Sequence, residues 1–146
     1  MDKIYLKTDG GSRGNPGPAA IGAVFYDGDS KIIHSYKKFI GTGTNNDAEY
    51  QAILEALKIV SQSQWFQKCD PQDHEISCRL DSQLVVEQLN GRYKVKQPHI
   101  MAYVEQIRRL ISDYGLVVSF THIPREQNKD ADALVNEALD EVLKDK

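Results

Sequence analysis

Apolar and polar residues alternate with a period of two in the first part of the chain, as they do in β-strands. Residues 3–9 alternate in this way and carry Asp9 at the end of the predicted strand. Residues 20–26 and 32–40 are also predicted as strands, and the Asp-Gly-Asp-Ser segment at 27–30 between them has the composition of a hairpin turn. Three antiparallel strands are therefore expected first.

The hydrophobic period then changes to that of a helix. A helix is predicted from about Asn46 to Gln62, which places Glu49 in its first turn. Its apolar face consists of Tyr50, Ile53, Leu54, Leu57 and Val60.

The middle of the chain is predicted to contain one strand and one short helix. A loop around Cys69-Asp70-Pro71 leads to a strand over residues 75–81. A short helix follows and ends at Asn90-Gly91. Asp81 is therefore expected at a junction between a strand and a helix.

Two helices and a strand are predicted in the last third. Pro98 opens a helix that ends before Gly115, and residues 116–122 form the fifth strand. Asn128 is a candidate N-cap for the last helix, which carries Asp132 near its start. The order βββαβααβα predicts an α/β fold with a mixed five-stranded sheet flanked by helices.

Length and composition limit what the chain can be. Its 146 residues fit one domain over residues 1–146, and 40% hydrophobic with 27% charged residues is typical of a soluble globular protein. No apolar run approaches the roughly 20 residues of a membrane span, and the N-terminus lacks the apolar core of a signal peptide. We expect a cytoplasmic monomer without a membrane partner. A net charge of −3 argues mildly against a nucleic-acid partner, although the distribution of charge matters more than its sum.

The two cysteines do not predict a metal site. Cys69 and Cys78 have no companion ligand at metal-binding spacing, and His74 between them is isolated. Free thiols are the favoured interpretation, and their redox state is left open.

Four acidic residues, Asp9, Glu49, Asp81 and Asp132, are expected to meet at one end of the sheet if the first and fourth strands are neighbours. Such a group of anions needs cations to neutralise it, and hard oxygen ligands select Mg²⁺ or Mn²⁺. Each acid also has an ordinary explanation, because Asp9 could belong to a turn, Asp81 to a helix cap, and the other two could complement helix dipoles.

The sequence blocks around these acids resemble type 1 ribonuclease H in its compact bacterial and archaeal form. The blocks are TDGGSRGNPG (8–17), TNNDAEY (44–50), LDSQLVVEQLNG (80–91) and HIPREQNKDADAL (122–134). The resemblance covers essentially the whole chain. It implies that Asp9, Glu49, Asp81 and Asp132 bind two Mg²⁺ or Mn²⁺ ions and are catalytic.

The same blocks imply a set of substrate-binding residues. Small residues in the turn after the first strand would let the backbone approach nucleic acid, and paired asparagines would read 2′-hydroxyls and base edges in a minor groove. Helix capping is an alternative role for both asparagines, Asn45 and Asn46, and for Ser82. The implied set is Gly10, Ser12, Asn15, Asn45, Asn46, Ser82, Gln83 and Asn128.

The resemblance also implies a mobile His or Arg near the last catalytic aspartate, which would assist proton handling or product release. His122 and Arg125 are both candidates, and the PREQN context favours Arg125. His122 could instead be an ordinary strand residue.

Larger family members carry a basic helix and loop after the short helix of the LDSQLVVEQLNG block. This chain lacks that segment. Here only GRYKVKQP, from Gly91 to Pro98, precedes the next helix. Arg92, Lys94 and Lys96 could form a smaller phosphate-binding edge, and a solvated turn is the alternative.

The predicted function is endonucleolytic hydrolysis of the RNA strand of RNA–DNA hybrids, leaving the 5′-phosphate and 3′-hydroxyl ends that the resemblance implies. Cleavage of double-stranded RNA is left open.

One alternative is a silent hybrid-binding module, but such a module should have lost an acid. Integrases, transposases and exonucleases of the same fold differ in their acid spacing. A phosphate cradle at residues 10–14 lacks the lysine of a P-loop.

Overall fold

The computed structural model describes residues 2–144, which form a five-stranded sheet with helices on both faces. The strands are β1 (Asp2–Ser12), β2 (Gly17–Tyr26), β3 (Ile32–Gly43), β4 (His74–Leu80) and β5 (Val118–His122). The helices are α1 (Asn45–Ser61), α2 (Gln64–Lys68), α3 (Gln83–Leu89), α4 (Pro98–Tyr114) and α5 (Lys129–Leu143), with a 3₁₀ turn at Arg125–Gln127.

The sheet has the strand order β3-β2-β1-β4-β5, so the first and fourth strands are neighbours. β1 is antiparallel to β2 and parallel to β4, and β4 is parallel to β5. The chain leaves β1 toward β2 and leaves β4 toward β5. The carboxyl ends of β1 and β4 therefore form a topological switch point, where open α/β sheets bind ligands.

β1 is longer than its parallel partner. Its pairing with β2 continues to Ser12, which lies opposite Ala19, whereas its pairing with β4 ends where Lys7 lies opposite Arg79. Beyond Lys7 the β4 side of β1 is open, and this recess lies at the switch point.

Helices cover the two faces of the sheet unequally. α1 packs on β1 and β2 and against α4, and this side carries the larger core, with Leu6, Phe25 and Leu57 among its buried residues. α5 packs on β2, β1 and β3 on the other face, where Ala20 and Val135 belong to a smaller core. No helix within residues 2–144 is long and apolar enough to cross a membrane.

Two glycines let α1 and α5 approach the sheet at the same level on opposite faces. A Cβ atom on Gly10 would lie 2.2 Å from the backbone carbon of Ala48, and a Cβ on Gly22 would lie 2.6 Å from the carbonyl oxygen of Ala131. Neither position has room for a side chain. Both helix starts therefore come into contact with the sheet backbone beside the recess.

The predicted architecture is confirmed, but the predicted places of Asp9 and Glu49 and one predicted loop are wrong. Asp9 is not at the strand end, because β1 continues to Ser12. Glu49 is the fifth residue of α1 and not in its first turn, because Thr44 caps the helix through the backbone N–H of Asp47. The five-residue helix α2 lies in a region predicted to be loop.

The cysteines are free and buried, as expected. Both ring nitrogens of the intervening His74 contact backbone groups: Nδ1 lies 3.3 Å from the carbonyl oxygen of Asp70, and Nε2 accepts a hydrogen bond from Val117. Burial raises the pKa of the Cys78 thiol to about 12. Within residues 2–144 this histidine and the thiols do not form a metal-binding group.

Candidate active site

A cleft of about 460 Å³ lies at the recess beyond the end of β4. It brings together the four predicted acids: Asp9 lies in β1, Asp81 directly follows β4, and Glu49 and Asp132 lie near the starts of α1 and α5. The active-site cleft is lined by Asp9, Gly10, Gly11, Ser12, Arg13, Asn45, Asn46, Glu49, Asp81, Ser82, Arg125, Asp132, Val135, Asn136 and Leu139.

Three of the acids form a tight group. One carboxylate oxygen from each of Asp9, Glu49 and Asp81 lies within 4.8 Å of the others. Asp9 and Glu49 are only 7% and 8% exposed. Asp132, the fourth residue of α5, lines the same cleft, and its charge acts on Asp9.

Burial and mutual repulsion favour the protonated forms of Asp9, Glu49 and Asp81 in the absence of cations. Burial, followed by the charges of Asp81 and Asp132, raises the pKa of Asp9 to about 7. Burial and the neighbouring charges of Asp9 and Asp81 raise the pKa of Glu49 well above its ordinary value. Burial also raises the pKa of Asp81, while the positive charge of Arg125 acts in the opposite direction.

The donor set fits hard divalent cations. Glu49 Oε2 is buried and has no hydrogen-bond partner among the described residues. An unsatisfied buried carboxylate oxygen is costly unless it binds a proton or a cation. Converging carboxylates are the ligands that Mg²⁺ and Mn²⁺ prefer.

The two candidates for the mobile residue occupy different surroundings. Arg125 lines the cleft, with its Nη2 atom 3.9 Å from Asp132 Oδ1 and its side chain 82% exposed. His122 is exposed at the end of β5 and does not line the cleft; its electrostatic effect falls on Glu87 of α3. The positions therefore favour Arg125.

Asn45 connects the start of α1 to the end of β1. Its Oδ1 atom accepts hydrogen bonds from the backbone N–H and the hydroxyl of Ser12, at 2.9 and 3.2 Å. The backbone N–H of Asn45 donates to Asn15 Oδ1 at 3.0 Å. The side chain of Asn45 does not cap α1, since Thr44 does, and none of the described residues accepts a hydrogen bond from its Nδ2.

The other predicted substrate residues differ in position. Asn46 and Ser82 line the cleft, and Ser82 also caps α3 by accepting a hydrogen bond from the backbone N–H of Val85. Gln83 is the exposed first residue of α3 and lies outside the cleft lining. Gly10 lines the cleft from within β1, where the absence of its side chain admits α1. Its predicted place in a turn is wrong.

Asn128 occupies the predicted N-cap position of α5, but its side chain does not cap the helix. The side chain is fully buried, and Nδ2 donates to the carbonyl oxygen of Thr8 at 2.9 Å. Its amide also acts to lower the pKa of Asp81, while its Oδ1 atom is buried without a hydrogen-bond partner among the described residues. A fully buried amide cannot touch a substrate in this conformation.

The three residues of the predicted phosphate-binding edge, Arg92, Lys94 and Lys96, lie in two different environments. Arg92 donates two hydrogen bonds to Glu87, at 2.7 and 2.8 Å, so its charge is partly neutralised. Lys94 and Lys96 line a groove of about 170 Å³ that also includes Asn46. Because Asn46 lines both spaces, this groove adjoins the active-site cleft.

Sequence reasoning missed Arg13 and Asn136. Asn136 follows Asp132 by one helical turn and donates to its carbonyl oxygen at 3.1 Å. That i, i+4 spacing was readable once Asp132 had been placed on a helix facing the site. Arg13 carried no such signal, since its neighbours on α5 are more than 120 residues away.

Comparisons with known proteins agree with this geometry. A family model described as "Reverse transcriptase-like" matches residues 7–138. Ribonuclease HI of Halobacterium salinarum is 40% identical over 95% of this chain and 65% of its own length. A bifunctional protein of Mycobacterium tuberculosis is 38% identical over 94% of this chain, which spans only 36% of that protein.

A solved structure gives the fuller match. LC11-RNase H1 in complex with an RNA/DNA hybrid superimposes with a TM-score of 0.89 at 42% identity, covering 96% of this chain and 99% of that one. The similarity thus spans the sheet, both helical layers and the acidic cleft. The chain belongs to the reverse transcriptase-like family and, within it, to the type 1 ribonucleases H.

Proposed function

We propose that this protein is a metal-dependent endonuclease that hydrolyses the RNA strand of RNA–DNA hybrids and leaves 5′-phosphate and 3′-hydroxyl ends. The observation that carries the proposal is the convergence of Asp9, Glu49 and Asp81, with oxygens within 4.8 Å of one another, in a cleft that Asp132 also lines. Family membership and the similarity to an RNase H1 bound to a hybrid support it. A silent binding module is disfavoured because none of the four acids has been lost.

The four acids would hold two Mg²⁺ or Mn²⁺ ions. Two such ions, when bound, lower the pKa of an attacking water and neutralise charge on the phosphodiester that is cleaved. Asp9 and Glu49, buried on adjoining elements, would fix the ligand geometry, while the partly exposed Asp132 would remain open to solvent. Arg125, at the exposed rim beside Asp132, would stabilise negative charge on the departing product.

Selectivity for a hybrid would come from polar groups on the α1 side of the cleft. The Nδ2 group of Asn45 is held in place by the bonds of its Oδ1 to Ser12, so it is positioned to donate to a 2′-hydroxyl or a base edge. Asn46, Lys94 and Lys96 would guide the neighbouring strand along the adjoining groove. We further propose that the chain acts as one catalytic domain, as a monomer and in the cytoplasm, with double-stranded RNA as a second substrate to be tested.

Cleavage of a labelled RNA–DNA hybrid tests the proposal. We expect internal cuts in the RNA strand with Mg²⁺ or Mn²⁺, none with chelator, and a loss of at least about 10³-fold in Asp81→Asn, since this change removes a metal ligand. Glu105→Gln removes one negative charge from the exposed surface of α4 and is the matched control, with activity expected to be unchanged. Hybrid binding without cleavage under both metals would instead support the silent module. A parallel double-stranded RNA substrate decides whether that duplex is also cut.

A further inference from the structure

Arg13 lines the active-site cleft but is held by acidic and polar residues of α5. Its Nη2 atom lies 2.7 Å from Asp140 Oδ1 and 3.4 Å from Asn136 Oδ1. The side chains of Arg13 and Asp140 are 40% and 66% exposed. No described residue accepts a hydrogen bond from Nε or Nη1 of Arg13.

Arg13 is one of few positive charges in a cleft that is lined mainly by negative ones. The lining contains four carboxylates but only two cationic side chains, Arg13 and Arg125. Arg125 lies beside Asp132, whereas Arg13 contacts α5 at Asp140, two turns further along and about 12 Å away by helix rise. Arg13 is therefore positioned toward a phosphate a few nucleotides from the one that is cleaved.

An exposed arginine-carboxylate pair is weakly stabilising, because solvent screens it and both side chains lose freedom. A guanidinium with unused N–H groups can form stronger, paired hydrogen bonds to a phosphate. Asp140 and a phosphate would then compete for the same cation.

We propose that Arg13 is a phosphate-binding residue of the nucleic-acid site and that Asp140 occupies its guanidinium when no substrate is bound. This inference rests on the hybrid-cleaving function proposed above. It makes Asp140 a competitor of the substrate, so that removing its charge strengthens binding. A purely structural bond between the 13–16 segment and α5 gives no such gain.

The next residue of α5 supplies a matched control. Glu141 also forms an exposed ion pair, but its partner is Lys37 on β3, which does not line the cleft. Glu141→Gln and Asp140→Asn change the net charge equally and at neighbouring positions. Any difference between them therefore reports on Arg13 and not on general electrostatics.

The experiment measures the Kd of a fluorescent RNA–DNA hybrid by anisotropy, with Mg²⁺, in the Asp81→Asn protein so that the probe is not cut, over a series of NaCl concentrations. We expect Asp140→Asn to tighten binding by about two- to fivefold relative to Glu141→Gln, the range that corresponds to an exposed ion pair. Arg13→Gln should weaken binding and reduce the salt slope by about 1. Combined with Arg13→Gln, Asp140→Asn should no longer tighten binding.

Equal Kd values for Asp140→Asn and Glu141→Gln would overturn the inference, as would tightening that persists with Arg13→Gln. The comparison of Asp140→Asn with Glu141→Gln keeps Arg13 in place, so it stays decisive even if Arg13→Gln proves unstable in thermal unfolding. Cleavage by the otherwise unmodified protein separates the two proposals. If it cuts the hybrid and the Kd order fails, only the role of Arg13 fails; if it neither binds nor cuts the hybrid, the proposed function fails as well.

Discussion

Asn128 lies between two of the segments that carry the four acids of the cleft. Its Nδ2 group donates to the carbonyl oxygen of Thr8, the residue before Asp9, and its amide acts to lower the pKa of Asp81. Because the side chain is fully buried, losing the bond to Thr8 leaves a buried carbonyl oxygen without this donor, which is costly. We therefore expect Asn128 to position Asp9 and Asp81, the two proposed metal ligands nearest to it in these contacts.

Asn128→Ala is expected to weaken Mg²⁺ binding by about 10- to 100-fold, the usual effect of removing a residue that orients ligands. Calorimetric titration of Mg²⁺ measures this without reference to turnover. Asn90→Ala is the control, since Asn90 Nδ2 makes the same kind of bond, to the carbonyl oxygen of Phe120, at an exposed position away from the cleft. Equal metal affinity in the two variants would show that Asn128 has only a structural role.

Functional residues were predictable from the sequence where they lie in a recognisable local motif. The four acids lie in such motifs, and the structure places them in one cleft. The burial of Asn128 and the contact of Arg13 with Asp140 depend on how α5 is docked across the sheet. Neither is encoded in neighbouring residues, so neither could be read from the sequence.

At the scale of elements, backbone contact with β1 and β2 determines where α1 and α5 begin. Gly10→Ala would place a methyl group 2.2 Å from the α1 backbone, which cannot move aside as a flexible side chain could. We expect the free energy of unfolding to fall by about 1–3 kcal/mol or more, which is the usual cost of overpacking. Chemical denaturation measures the change.

Gly11→Ala is the matched control on the same strand. Its Cβ would lie 3.6 Å from Val135 Cγ1, an ordinary contact on the opposite face. Comparable losses of stability in the two variants would mean that the close approach of α1 does not explain the effect.

Element types were mostly predictable, because the hydrophobic periods of the long strands and helices are clear. The errors occur where an element is too short to show a period or where glycines interrupt the pattern. Five residues are too few for α2 to show a helical period, and Asp9-Gly10-Gly11 resembles a turn although its pairing with β2 keeps it extended.

At the scale of the whole molecule, the acids should make the metal-free protein less stable as the pH rises. The unfolded chain loses the proton of Asp9 near its ordinary pKa of about 3.9, whereas the folded protein keeps it until about pH 7. Below about pH 4 both states are protonated, so Asp9 does not affect stability. Between these values the unfolded state alone releases the proton, and the free energy of unfolding falls until about pH 7.

Thermal unfolding in chelator at pH 5 and pH 8 checks this dependence. Asp9→Asn should be more stable than the unmodified protein at pH 8, with a smaller difference at pH 5, because asparagine does not titrate. Adding Mg²⁺ should raise the Tm of the unmodified protein, since the cation binds the folded state. A difference between the two proteins that stays constant with pH would contradict this account.

The extension of β1 beyond β4 also bears on how the protein responds to heat. The recess is built from a paired strand and two helices packed on it, and not from a loop that must close. The entropy of gathering the carboxylates is therefore lost during folding and not in each catalytic cycle. As the temperature rises, activity should consequently persist until the sheet unfolds cooperatively and should be lost at the same temperature. No earlier transition should inactivate the site alone.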